Sequence, residues 1–191
     1  LQGGGGMDPG AHGIHVNGTD GQLTDVVVHD VFLVDWASLA PDNAGIRVDN
    51  VTNSEFTQVH VEDGYYGIWA DGLNDSVVDD SDFTTTITAG ISLASSSNNT
   101  ITNTEIAEPF YGIDVDEGSD DTVVTNSSVA GTTYGLRILD SSGLELSNVD
   151  ARYNGPVFYR DGPVTAENYT LSAPSNVTVE AIAGEYSLDG T

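Results

Sequence analysis

Cysteine and lysine are both absent from the 191-residue chain. Without cysteine, the chain can form neither disulfides nor thiolate metal sites. Without lysine, its only basic residues are four arginines, which stand against 30 acidic residues and give a formal net charge of −26. Because phosphates are bound mainly by cations, this charge argues against nucleic acid as a partner.

Long apolar runs are also missing. No stretch approaches the roughly 20 residues of a membrane helix, so we expect no membrane span. Aliphatic residues come instead in short runs divided by Gly, Asn, Asp, Ser and Thr. Because the chain begins at Leu1 rather than Met, we expect it to be a processed or excised piece of a larger protein.

The acidity does not indicate disorder, because Val, Ile and Leu recur densely enough to build a core. A folded chain of this charge repels itself at low salt, whereas at molar salt the Debye length falls to about 3 Å and the repulsion is screened. An Asp-rich, lysine-free surface resembles the proteins of extreme halophiles, especially haloarchaea. We therefore expect a salt-adapted protein.

Glycine recurs through the chain at a nearly constant spacing. The steps between successive glycines are 32, 22, 23, 22 and 23 residues, a period typical of solenoids. Each glycine precedes an apolar residue, and usually a second one follows two positions later, which predicts a strand with one buried face. The glycines are Gly13, Gly45, Gly67, Gly90, Gly112 and Gly135.

A second apolar segment follows in every repeat, interrupted by one polar residue. The apolar residues on either side are an odd number of positions apart, so a straight strand would turn one of them outward. We therefore predict a bend there, with stacked polar side chains on its inner side that bond to each other and to the turn backbone. This structural ladder comprises Asp30, Gln58, Asp80, Asn103, Asn126 and Asn148.

The pattern predicts an all-β fold, a right-handed single-stranded parallel β-helix of about six to seven coils with a terminal cap. Helical solenoids are excluded because no segment shows a 3.6-residue period. We expect residues 1–12 to form a lead or partial coil, 13–154 the β-helix repeats, and 155–191 a terminal coil or cap.

The Gly-Ile-x-Val and Asn-ladder pattern, over about residues 6–154, resembles the β-helix repeats of the CASH group of carbohydrate-binding proteins and sugar hydrolases. It is most similar to the NosD-like repeats common in archaeal surface proteins. The resemblance implies an extracellular or cell-surface location and a structural or adhesive role. Enzymes, adhesins and viral tail spikes share this coil, so the resemblance is specific for fold rather than function.

Outward residues of the first strand should stack into columns along the solenoid. Aromatic rings pack on the apolar faces of sugars, while Asp and Arg bind hydroxyl groups or uronate carboxylates. An exposed tryptophan among carboxylates and arginines therefore predicts a glycan-binding face. Its residues are Arg47, Trp69, Asp71, Asp114, Asp116 and Arg137.

Two other functions fit the same pattern. Glycosidases hold two carboxyl groups about 5 Å or about 6.5–9.5 Å apart, and Asp49 with Asp71, or Asp114 with Asp116, would meet that requirement. The protein would then be a polysaccharide lyase, hydrolase or epimerase, although the pectinolytic and alginate-epimerase motifs are missing. The other alternative is a trimeric viral tail-spike or fibre module.

The sequence evidence for metal sites is weaker than that for the glycan-binding face. We expect no resident cofactor apart from Ca²⁺, for which the run from Asp114 to Asp121 offers hard oxygen ligands around a glycine, with a solvated acidic turn as the alternative. Asp8, His12, His15 and His29 fall near the first coil, but no ligand spacing repeats, so we assign no metal to them.

Seven Asn-x-Ser/Thr sequons favour an exported glycoprotein. We expect Asn126 to stay unmodified because the predicted ladder faces inward, whereas Asn74 and Asn98 lie in predicted turns and are expected to carry glycans. The sequons begin at Asn17, Asn50, Asn74, Asn98, Asn126, Asn168 and Asn176.

Overall fold

The structure is a computed structural model that describes residues 10–35, 42–150 and, for the backbone alone, 158–161. Throughout these ranges the regular elements are β-strands, and all their pairings are parallel. The strands form two sheets of eight and nine strands. This confirms the predicted all-β class.

The first sheet lies on one side of the solenoid. It contains β1 (Ile14–Asn17), β2 (Leu23–Thr24), β4 (Ala44–Thr52), β6 (Tyr66–Asn74), β9 (Ala89–Ala94), β12 (Tyr111–Asp116), β15 (Tyr134–Leu139) and β17 (Phe158–Asp161).

The second sheet is bent and closes the other sides. It contains β3 (Val27–Val34), β5 (Glu55–Glu62), β7 (Val77–Asp79), β8 (Asp82–Thr84), β10 (Thr100–Thr102), β11 (Glu105–Ala107), β13 (Val123–Thr125), β14 (Ser128–Ala130) and β16 (Glu145–Ser147).

Successive windings lie directly on one another. In the first sheet the order is β1-β4-β6-β9-β12-β15-β17, and Ile91 pairs with Ile113, which lies one repeat later in the chain. The described windings make about five turns, slightly fewer than predicted. The predicted lead and cap, and most of the loop after Val34, lie outside the described residues, apart from residues 10–12 and the strand at 158–161.

The bend in the second sheet occurs at the predicted ladder positions, but its polar side chains point outward. All six have a left-handed backbone, with φ between 47° and 54°, a conformation that Asn and Asp tolerate best among non-glycine residues. The left-handed residue turns its side chain to solvent, and the apolar residues of the strand segments before and after it face the core. The inward ladder of the sequence prediction is therefore wrong, and Asn126 is exposed.

A different ladder, built from Ser and Thr, lines the interior. At many coil corners the residue directly after a left-handed position is a buried Ser or Thr, as at Ser54 and Ser76, each 2 % exposed. The Ser76 hydroxyl donates to the carbonyl of Asn74 at 2.6 Å and accepts from the Ser54 amide of the preceding coil at 3.0 Å. Each hydroxyl thus satisfies backbone groups that the turn would otherwise bury unpaired. The same position holds Ser81, Ser96, Thr104, Ser127 and Ser141.

The hydroxyl ladder carries a sequence signal that the repeat analysis missed. An Asn or Asp followed at once by Ser or Thr recurs at the coil corners, as in Asn53-Ser54, Asp80-Ser81 and Asn103-Thr104. The first residue favours the left-handed backbone, and the second bonds locally to that backbone. This pair, repeated at the coil period, marks a corner.

Candidate functional site

The six residues predicted to bind glycan all lie on the outward side of the first sheet. Arg47 pairs in register with Trp69, and Asp49 with Asp71. Two strands further along, Asp114 pairs with Arg137. The columns expected from the repeat are therefore confirmed, and they group into two side-chain clusters.

The first group, here the Arg47 cluster, consists of His15, Arg47, Asp49, Trp69 and Asp71. The Arg47 guanidinium lies over the Trp69 ring, 3.8 Å from its centroid. One of its nitrogens, Nη2, donates to Asp49 and lies 3.8 Å from Asp71. His15 shares a 2.5 Å hydrogen bond with the second oxygen of Asp49. The arginine is thus held between two carboxylates and an aromatic face.

The second group, the Arg137 cluster, repeats this arrangement. Arg137 donates from Nε and Nη2 to the two oxygens of Asp114, at 2.6 and 2.5 Å. Its Nη2 lies 3.7 Å from Asp116, and its guanidinium sits 4.5 Å from the centroid of Tyr111. Tyr111 in turn stacks on Tyr134 at 5.6 Å. Both clusters therefore combine one arginine, two carboxylates and a stacked ring.

Burial decides the protonation behaviour of the second cluster. Asp114 is only 3 % exposed, and this burial raises the pKa of its carboxyl although the bonds from Arg137 act in the opposite direction. Burial alone would lower the pKa of Arg137, but the bonds from Asp114 raise it overall. The pair thus keeps its arginine charged.

The predicted exposure of this face needs correction. Trp69 is half-buried rather than exposed, because Arg47 covers it and Tyr66 stacks against it at 5.1 Å. Asp114 lies beneath Arg137, while Asp71 keeps 56 % of its side-chain surface. Among the charged groups of the predicted site, the Asp71 carboxylate therefore faces solvent most openly.

The same contacts weigh against paired-carboxylate catalysis. An arginine nitrogen bonds or approaches both members of each predicted Asp pair. Both oxygens of Asp114 are engaged by Arg137. A general acid must reach the leaving oxygen of its substrate, and this carboxyl has no oxygen left to do so.

Strand β9 separates the two clusters. Its outward residues Ser92 and Ala94 are small, and they lie in register with the ring- and carboxylate-bearing residues on either side. The charge of Asp114 acts across this strand on Tyr66, which stacks on Trp69, because burial and then Asp114 raise the pKa of Tyr66. The face is therefore one continuous layer of side chains with a low centre at β9.

Exposed apolar residues border this layer at the corner that comes just before the first-sheet strand of each coil. Ile87 is 44 % and Phe110 is 43 % exposed. The Phe110 amide donates to the Ile87 carbonyl at 3.4 Å, which places them on neighbouring coils, and the Phe110 ring contacts those of Tyr111 and Tyr134. Sequence analysis overlooked this apolar edge because each residue falls in a turn rather than in the repeating strand.

The predicted metal ligands are not brought together. Asp114 bonds to Arg137, Asp116 accepts from the Glu117 amide, and Asp120 accepts from the amide and hydroxyl of Ser142. His12 and His15 lie with ring centroids 5.2 Å apart, but His29 is on the second sheet and Asp8 lies outside the described residues. Within the described ranges no group of three or more His, Asp or Glu side chains could hold a metal.

Through Asp49, the stability that the Arg47 cluster contributes to the fold depends on pH. Burial by itself raises its pKa, but hydrogen bonds from Arg47 and His15 outweigh this and lower it overall. A lowered carboxyl pKa contributes stability above the unfolded value of about 4, and this stability disappears as the pH falls through the folded value. We expect the melting temperature of the parent to fall more steeply below pH 4 than that of Asp49→Asn. Superimposable pH profiles, recorded by circular dichroism at constant molar salt, would rule out this coupling.

Parallel strands wound coil upon coil around an apolar and hydroxyl-lined interior define a parallel β-helix. The chain belongs to the family described as right-handed β-helix region, which matches residues 6–154. Membership accords with a structural or carbohydrate-related role. No curated protein and no solved structure gave a significant match. No helix in the described part of the chain has the length and apolar character needed to cross a bilayer.

Proposed function

We propose that this domain is an extracellular, salt-adapted β-helix scaffold that adheres to neutral glycans along the outward face of its first sheet. The observation that carries the proposal is the duplication of an arginine, two carboxylates and a stacked ring on either side of the low strand β9. The twin clusters supply rigid rings beside fixed hydrogen-bonding groups, the combination by which proteins hold sugars.

The charge of the face selects the class of glycan. Its two arginines, Arg47 and Arg137, are matched against four aspartates of the two clusters, a formal balance of −2. Each arginine is already paired with a carboxylate of its own chain, which weakens its attraction for a uronate. The net charge of −26 further repels polyanions. Uncharged hydroxyl-rich chains are therefore favoured over acidic polysaccharides.

Salt adaptation and an external location follow from composition and the resemblance to archaeal surface repeats. The described surface places acidic residues next to each other on adjacent coils, as where Glu105 pairs in register with Asp82. Such stacked charges need screening, which molar salt supplies.

Loss of the Trp69 ring is expected to weaken glycan binding. Trp69→Ala removes the surface on which Arg47 is held, and Asp71→Asn alters an exposed carboxylate without disturbing packing. We expect Trp69→Ala to lower affinity for immobilised neutral glycans by about tenfold or more, and Asp71→Asn by less, in a glycan array at molar salt.

Phe32→Ala is the matched control, because Phe32 is a 55 % exposed aromatic residue on the second sheet. Unchanged glycan affinity in Trp69→Ala would refute the proposed face. Cleavage of an acidic polysaccharide that Asp→Asn substitutions abolish would instead establish the enzyme alternative, and a trimer by light scattering at high salt would favour the tail-spike alternative.

A further inference from the structure

The outer side of the bent second sheet forms a trough on another side of the solenoid from the proposed glycan face. It contains an open cavity of about 380 Å³, within the range usual for small-molecule sites. The cavity spans three successive coils, because Glu105 pairs with Ser128 and Ser128 with Asp150. Its lining residues are Asn103, Thr104, Glu105, Asn126, Ser127, Ser128, Asn148 and Asp150.

The exposed amide ladder is broken inside this cavity. Asn148 donates from Nδ2 to Oδ1 of Asn126 at 2.8 Å. One coil earlier, Asn103 also donates toward the preceding coil, to Asp79 at 2.8 Å, but no hydrogen bond joins Asn126 to Asn103. Among the described residues, Nδ2 of Asn126 and Oδ1 of Asn103 therefore have no hydrogen-bond partner. An unpaired amide donor and an unpaired amide acceptor thus face the same cavity on neighbouring coils.

We propose that this trough is a second binding site, for a linear neutral oligosaccharide running parallel to the solenoid axis. A sugar hydroxyl both donates and accepts, so one hydroxyl can accept from Asn126 Nδ2 while donating to Asn103 Oδ1. Coils repeat at about 4.8 Å, close to the length of one ring in an extended sugar chain. Successive rings therefore meet successive coils.

The walls of the trough define its selectivity. Glu105 and Asp150 place carboxylates at its two ends, and the Ser128 hydroxyl lies between them. Carboxylates accept hydrogen bonds from sugar hydroxyls and repel acidic sugars. The left-handed backbone at Asn103, Asn126 and Asn148 keeps their amides turned outward, so the site is organised before the ligand arrives.

The test uses cellohexaose as the probe and the nitrogen-15 side-chain amide signals of the whole 191-residue chain at molar salt. We expect cellohexaose to shift the Asn103 and Asn126 side-chain amides. Asn126→Gly, which keeps the left-handed backbone but removes the amide, is expected to weaken this binding about tenfold. Asn126→Asp replaces the donor by an acceptor of the same size and should weaken it as well.

Asn53→Gly is the control, because Asn53 is an exposed left-handed asparagine at a corner away from the trough. It should bind like the parent. Absence of shifts at the trough amides up to millimolar cellohexaose overturns the proposal, as does equal binding by the parent and both Asn126 variants. Shifts confined to the Trp69 indole and its neighbours would support the first-sheet face and reject the trough, so the two proposals fail separately.

Discussion

Gly112→Ala is expected to lower the free energy of unfolding by about 3 kcal/mol, the upper end for overpacking a core. A Cβ atom at this position would overlap the Val129 side chain and the carbonyl oxygen of Gly135 in the next coil. The carbonyl belongs to a backbone held by its own parallel strand, so neither neighbour can withdraw without distorting a winding. Urea denaturation at constant molar salt measures the loss.

Gly21→Ala is the matched control for this substitution. Gly21 lies in a turn, and a Cβ atom there would meet nothing within 4 Å. Its stability should change by no more than about 0.5 kcal/mol. If the two variants unfold at the same urea concentration, then close approach of coils is not what requires glycine at the repeating position.

Arg137→Met is expected to destabilise the fold by about 2–3 kcal/mol, because it leaves the carboxylate of Asp114 buried without its cation. The value lies at or just below the low end for a broken buried pair, since the Arg137 side chain keeps 22 % of its surface exposed. Methionine retains much of the aliphatic length and its contact with Tyr111. Urea unfolding of the purified variant gives the change directly.

The double variant Arg137→Met with Asp114→Asn separates the ion pair from packing. Asparagine removes the charge that needs a partner, so the double variant should be more stable than Arg137→Met alone. The resulting double-mutant cycle should give a coupling energy above about 1 kcal/mol. Strictly additive losses would show that the two side chains stabilise the fold independently.

The repeat itself was predictable because each coil obeys the same local requirements. Gly45, Gly67, Gly90 and Gly112 sit where a Cβ atom would strike the neighbouring coil or the core. The apolar residues that follow them must face inward on every winding. Steric exclusion and burial act in the same way in every coil. The period, the strand register and the columns could therefore all be derived from the spacing of residues in the sequence.

The orientation of the polar ladder was not predictable from spacing alone. An odd interval required a bend, but both a bulge with an inward amide and a left-handed residue with an outward one satisfy that interval. The second geometry occurs because Asn103 and its equivalents tolerate positive φ, while the following Thr104 hydroxyl occupies the interior. Recognising the Asx–Ser/Thr pair would have decided between them.

By itself, the sequence determined a single-chain parallel solenoid and which residues share a column, because repeating sterics and burial leave one way to stack the coils. Only the tertiary structure decided which contacts the side chains within each column make. The rotamers of long side chains on adjacent coils decide whether Asp114 faces solvent or is a buried partner of Arg137. They also decide whether Asn126 and Asn103 bond to each other or to different neighbours. Those contacts depend on side-chain rotamers, which spacing along the chain does not specify.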